Sequence, residues 1–123
     1  MSKLAFFMLA LLIISCGKSA PPPGPADAVL ATFKALEAQD SAAFVASLSQ
    51  DKRDMYSMDS TRVDTILSHW KGNHAEVKVL SVKQNDSTAM VMYNLTVTGR
   101  EPHSRDSLCA NVRMEAGEWK NGY

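Results

Sequence analysis

The sequence predicts an α+β fold in which three N-terminal helices pack on a curved, four-stranded antiparallel sheet. Two observations carry that expectation. Apolar residues recur with a period near 3.6 up to about residue 73 and with a period of 2 from His74 onward. The switch happens once, so helices and strands are segregated along the chain, which is the order of an α+β domain rather than of alternating βαβ units. With no internal repeat and no second switch, one domain is expected over residues 26–123.

The first helix is placed from Pro25 or Ala26, because proline suits a first turn and Asp27 complements the positive end of the helix dipole. Val29, Phe33 and Leu36 follow at spacings of four and three, with Leu30 beside them, and form one apolar face. Asp40 or Ser41 then breaks this helix and caps a second, whose Phe44, Val45 and Leu48 make a short stripe. Residues 49–58 are polar and charged and read as a loop with an irregular turn. Asp59 or Ser60 caps a third helix, in which Val63, Ile66, Leu67 and Trp70 fall at i, i+3, i+4 and i+7. It closes at Lys71, Gly72 and Asn73, with a cation in the last turn and glycine past the end.

Residues 76–83 form a β-branched run whose apolar phase slips between Val79 and Leu80, which implies either a bulge or burial on both faces. Asn85 and Asp86 make a turn, after which Ala89, Val91, Tyr93, Leu95 and Val97 alternate with other residues. A third strand puts Leu108, Ala110, Val112 and Met114 on one face, and its partner, residues 119–123, follows a tight turn at Ala116 and Gly117. Cys109 lies within that third strand and is expected to be buried there as a small apolar side chain.

Ahead of the domain stands an export signal. Lys3 supplies a positive n-region, and residues 4–14 are an unbroken apolar run of eleven. As a helix that run reaches only about 17 Å, against a bilayer hydrocarbon core of roughly 30 Å, so it is too short to span. Its end, Ile13-Ile14-Ser15-Cys16, resembles the bacterial lipobox, in which cleavage precedes an acylated cysteine. The resemblance implies a signal peptide over residues 1–15 and lipidation, palmitate included, at Cys16. The lipid bilayer is then a partner through acylated Cys16. The implied location is the bacterial cell envelope, lipid-anchored; Gly17, where an aspartate would mark inner-membrane retention, favours the outer membrane. Residues 17–25 hold four of the five prolines, no large apolar side chain, and a reach of up to about 28 Å as polyproline II, which is a tether.

Cleavage leaves 108 residues with 12 basic and 13 acidic side chains, scattered along the chain. That balance argues against nucleic acid as a partner, since phosphate recognition needs clustered Lys and Arg. It also leaves Cys109 without a partner in its own chain, because Cys16 is committed to the lipid.

The run Ala28-Val-Leu-Ala-Thr-Phe-Lys-Ala-Leu-Glu-Ala-Gln-Asp40, the strands Glu76-Val-Lys-Val-Leu-Ser-Val82 and Thr88-Ala-Met-Val-Met-Tyr93, and the closing Glu118-Trp-Lys120 together resemble the nuclear transport factor 2-like superfamily. More narrowly they are similar to its small bacterial lipoproteins of unknown function, labelled lumazine-binding-like. The resemblance implies a conical cavity between sheet and helices, used in some relatives as an enzyme pocket and in others for dimerisation or as a binding module. No enzyme motif of the superfamily matches residue by residue. Tyr93, with Trp70 and Phe33, are the candidate ligand-contacting side chains, the phenol being able to donate to a ligand oxygen.

Other chemistry is not indicated. His69 and His74 lie five apart across a helix end and His103 lies in a loop after Pro102, so no metal-ligand spacing arises and no cofactor is expected. No nucleophile elbow, phosphate loop or dinucleotide fingerprint is present, and no catalytic residue is assigned. Asp-Ser and Asp-Thr pairs recur and are similar to acceptor sites of the O-glycosylation system of Bacteroidetes-type bacteria; Ser87, in its turn, is the best candidate. The expected function is a membrane-anchored binding or interaction module for a small apolar ligand or a protein partner, a homodimer included. The alternative is an isomerase or hydrolase using acid-base residues in the cone.

Overall fold

The computed structural model describes residues 23–122. The leader, Cys16, the tether up to residue 22 and Tyr123 lie outside the described residues. Four helices, α1 (Pro25–Ala38), α2 (Ser41–Ala46), α3 (Gln50–Met58) and α4 (Ser60–Trp70), precede four strands. The strands are β1 (Asn73–Asn85), β2 (Thr88–Gly99), β3 (His103–Glu115) and β4 (Glu118–Asn121), antiparallel in the order β1-β2-β3-β4. The sheet curls into a half-barrel around the helices. Among the described residues no helix is long and apolar enough to cross a membrane.

Local chemistry sets the helix ends. The Asp27 carboxylate accepts from the Gly24 N–H at 2.7 Å, with Pro25 at the first helical position. Gln39 takes a left-handed conformation (φ 58°) at the end of α1, and Asp40 then caps α2 by accepting from Ala43 N–H at 3.0 Å. Asp59 caps α4 through Thr61 N–H at 3.2 Å.

The segment expected to be a loop, residues 49–58, is instead mostly helix α3. Its one buried side chain, Tyr56, leaves no apolar period to read. What holds it comes from elsewhere in the chain: the Glu115 carboxylate accepts from Gln50 N–H at 3.0 and 3.1 Å and so caps the helix from strand β3. Tyr56 packs against Phe44, with ring centroids 6.0 Å apart.

Two apolar clusters form the core. One lies between α1 and the concave sheet face, around Val29, Val91, Tyr93, Leu95, Val97, Ala110 and Val112. The other joins the helices through Leu36, Phe44, Leu48, Tyr56, Val63 and Leu67. Strand β4 ties them: Leu48 bridges to Asn121, Ser49 N–H donates to Asn121 O, and Asn121 N–H donates to Ser47 O.

The sheet carries two irregularities. The phase slip at Leu80 is a bulge, the register shifting between Val79 and Ser81. A second bulge, with no counterpart in the sequence-based expectation, lies on β3: Tyr93 pairs with Leu108 but Leu95 pairs with Arg105, so β3 holds one extra residue there. Ser107 sits in it at φ 56°, its N–H donating to Asn94 Oδ1 at 2.9 Å.

Two further expectations are corrected. His103 begins strand β3, opposite Val97, because β3 starts upstream of its apolar stretch. Cys109 is exposed, not buried: Leu108 and Ala110 take the concave side, which leaves Cys109 beside Met92 on the opposite face of the sheet.

Candidate functional site

Phe33, Trp70 and Tyr93 come from three elements and meet. Phe33 is the last turn but one of the α1 stripe, Trp70 ends the α4 stripe, and Tyr93 is a concave-face residue of β2. Phe33 meets Trp70 edge-on at 5.6 Å between centroids and Tyr93 at 5.8 Å, with interplanar angles of 62° and 67°. Such pairs add about 0.5–1.5 kcal/mol each beyond their area burial. The trio forms one continuous aromatic wall.

Two hollows share that wall. The inner one, about 250 Å³, lies between the helices and the sheet, with Leu36, Phe44 and Ile66 as its apolar lining and Thr32 and Asn121 as its polar members. The Thr32 hydroxyl is already engaged, donating to Ala28 O at 3.1 Å and accepting from Asn121 Nδ2 at 3.2 Å. The outer one, about 380 Å³, opens at the end of the cone, with Leu95, Val97 and Leu108 as floor and Asn73, His69, Glu101, His103 and Arg105 around them.

Tyr93 is 8% exposed, yet its hydroxyl makes no hydrogen bond among the described residues. Burial pushes its phenol above the ordinary value of 10.0, Arg105 nearby pulls it down, and Cys109 adds to the upward shift. A neutral, donating phenol therefore faces both hollows at physiological pH.

The rim is built from backbone-anchored groups. Asn73 donates from Nδ2 to His69 O at 3.0 Å and accepts at Oδ1 from Glu101 N–H at 2.9 Å, which pins the segment between β2 and β3 to the end of α4. Arg100 donates to Ser68 O and His69 O at 3.3 and 3.1 Å and so covers two carbonyls at that helix end. Glu101 Oε2 stands 3.7 Å from His69 Nε2, with both side chains more than half exposed. His103 Nδ1 lies 2.8 Å from Glu101 O.

The bulge at Ser107 decides which residues reach this rim. Because Leu95 pairs with Arg105 and Val97 with His103, both polar side chains share the concave face with their partners. Sequence reasoning missed Arg105, His103, Glu101 and Asn73. One signal was present: carrying the Leu108, Ala110, Val112 face backward in steps of two puts Asp106 and Ser104 on an apolar surface, which marks a slip in phase.

Elsewhere, His74 Nδ1 lies 3.2 Å from Glu37 Oε2, while the other Glu37 oxygen accepts from Ala75 N–H. This pair joins α1 to β1 and lines neither hollow. A larger cleft of about 620 Å³ at the opposite end of the sheet is lined mainly by polar side chains, with its Arg113 paired to Asp51 at 3.2 Å and no aromatic ring. Ser87 sits exposed in the turn between β1 and β2, its carbonyl accepting from Met114 N–H at 2.7 Å.

No protein-family model and no curated protein matches the sequence. Among solved structures, the chain is similar to a protein of unknown function with a cystatin-like fold from Nostoc punctiforme PCC 73102, at a TM-score of 0.61 and 16% identity, covering 78% of this chain and 81% of that one. It is also similar to a SEC-C motif containing protein from Rhodopseudomonas palustris, at a TM-score of 0.60 and 18% identity, covering 74% and 69%. At these identities the likeness is one of fold. The fold is a cystatin-like α+β arrangement, the class to which the nuclear transport factor 2-like expectation pointed.

Proposed function

We propose that this chain is a lipid-anchored protein of the bacterial envelope whose α+β domain binds a small apolar ligand in the hollow walled by Phe33, Trp70 and Tyr93. The observation that carries the binding reading is the convergence of those three rings on an apolar space of about 250 Å³. Binding sites are concave, mainly apolar and aromatic, with a few polar groups that fix orientation, and the unpartnered Tyr93 hydroxyl is such a group. Acid-base catalysis is the weaker reading, since among the described residues lining that hollow Tyr93 is the one titratable side chain, with no second group beside it to complete an acid-base pair.

Support for the anchor is the Ile13-Ile14-Ser15-Cys16 pattern and the proline-rich stretch after it. In a bacterial host the full chain should sediment with membranes, and Cys16→Ser should prevent acylation and palmitate labelling. A wild-type chain with unmodified Cys16 overturns the anchor.

For the ligand, the mature chain made without its lipid is titrated with N-phenyl-1-naphthylamine, a neutral apolar fluorophore. Saturable one-to-one binding with energy transfer from Trp70 is expected, in a Trp119→Phe background that leaves Trp70 as sole donor. Ile66→Trp, which fills the hollow from α4, should abolish it. Absence of saturable binding, or binding indifferent to that substitution, refutes the site.

A further inference from the structure

We infer that the ligand is an organic anion, a flat apolar body carrying one acidic head group, with the body against the aromatic wall and the head on Arg105. This inference rests on the binding reading above and names the class of ligand. Three observations converge on it.

First, Arg105 is the arginine without an acceptor. Arg53 donates to Leu48 O and Gln50 Oε1, Arg62 stands against Asp59, Arg100 covers two helix-end carbonyls and Arg113 pairs with Asp51. Arg105 has no hydrogen bond or ion pair among the described residues. A guanidinium offers a planar fork that matches a carboxylate or sulfonate with two parallel bonds.

Second, the fold is bent locally to bring Arg105 to the hollow. The extra residue on β3, with Ser107 left-handed and held by Asn94, reverses the face of everything upstream. A strand without it would present Asp106 and Ser104 to the concave side, where an anion would meet a carboxylate. Bulges re-aim side chains in this way beside binding sites.

Third, the other polar groups facing the same hollow do not cancel the charge. Its one carboxylate, Glu101, is turned to His69, and His103 is held against the Glu101 carbonyl. The Tyr93 hydroxyl, without a protein partner and open to the hollow rather than sealed in the core, stands near Arg105 and supplies a second donor at the boundary between the apolar wall and the rim. Donor, guanidinium and aromatic surface are thus arranged in sequence along one path, the pattern an amphiphilic acid requires.

The test compares two probes with one ring system: neutral N-phenyl-1-naphthylamine and 1-anilinonaphthalene-8-sulfonate, which adds a sulfonate. The wild-type mature chain should bind the sulfonate about tenfold more tightly, the scale of one charge-assisted, bidentate contact. Arg105→Gln should erase that preference and leave the neutral probe unchanged, while Arg105→Lys should restore part of it. Unchanged circular dichroism in both variants separates loss of a contact from loss of fold. Neutral binding without a sulfonate preference overturns the inference and spares the binding site. Equal loss of both probes in a folded Arg105→Gln variant also overturns it, and failure of both in wild type overturns the site and the inference together.

Discussion

Truncating Phe33 should cost less stability than truncating the smaller Leu48, because the two side chains face different kinds of space. Leu48 is fully buried, bridges to Asn121 and borders none of the hollows described above. Leu→Ala at such a site loses the transfer energy of the removed carbons and leaves a cavity, together about 3–5 kcal/mol. Phe33 is only partly buried and already borders two hollows. Losing it merges existing spaces rather than opening a new closed one, so the cavity cost largely vanishes. What remains is roughly half of the 1.5–3 kcal/mol for burying such a side chain, plus part of two edge-to-face pairs at about 0.5–1.5 kcal/mol each. The expected cost is about 2 kcal/mol for Phe33→Ala against about 4 for Leu48→Ala. At about 4–8 °C per kcal/mol for a domain of this size, the melting temperatures should differ by about 8–16 °C. Urea unfolding, followed by circular dichroism with coincident Trp fluorescence, reads both values. Equal costs, or the reverse order, would show that Phe33 is packed in a closed core and that the hollows beside it are not there.

Other outcomes follow from single contacts. Gly99→Ala should destabilise by about 3 kcal/mol or more in urea unfolding, since Gly99 holds φ 117° and an added Cβ would overlap the Gly72 carbonyl oxygen and lie 3.1 Å from Asn73 Cα. Glu115→Gln should cost about 1 kcal/mol in the same assay, through a weaker cap on α3, whereas Glu118→Gln, at an exposed side chain at the start of β4, should be close to neutral. Tyr93 has a folded value above 10.0, so between 10.0 and that value the unfolded chain has lost more protons than the folded one. Its contribution to stability is therefore complete below about pH 10 and is lost as pH rises through the folded value; Tyr93→Phe should flatten that decline. Phenolate absorbance should show Tyr93 titrating later still in Arg105→Gln, as the opposing cation is removed, and an earlier titration would contradict the placement of Arg105.

Much of the fold could be read from the chain because its signals are local. A period of 3.6 changing once to 2, Asp40 and Asp59 at helix starts, and Gly72 and Gly117 at ends and turns report backbone preferences that neighbouring residues set by themselves. The slip at Leu80 was visible for the same reason, as two apolar residues side by side in an alternating strand. Helix α3 was not, because its stability comes from Glu115 and from the packing of Tyr56 on Phe44, contacts that reach across the chain and leave no period in residues 50–58. Cys109 could have been placed correctly from the alternation alone, since naming Leu108 and Ala110 as the inner face already sends it outward.

The sequence by itself therefore determined the class of fold, the caps and turns, and the identity of Phe33, Trp70 and Tyr93 as apolar-face aromatics, all of which depend on spacing along one segment. Tertiary structure alone decided that these three rings meet, that the space beside them is open, and that Arg105 and His103 stand at its rim. The physical reason is that a single extra residue at Ser107, held by an Asn94 side chain from the neighbouring strand, reverses which face of β3 is which. No count of apolar residues along the chain encodes a bond made between strands.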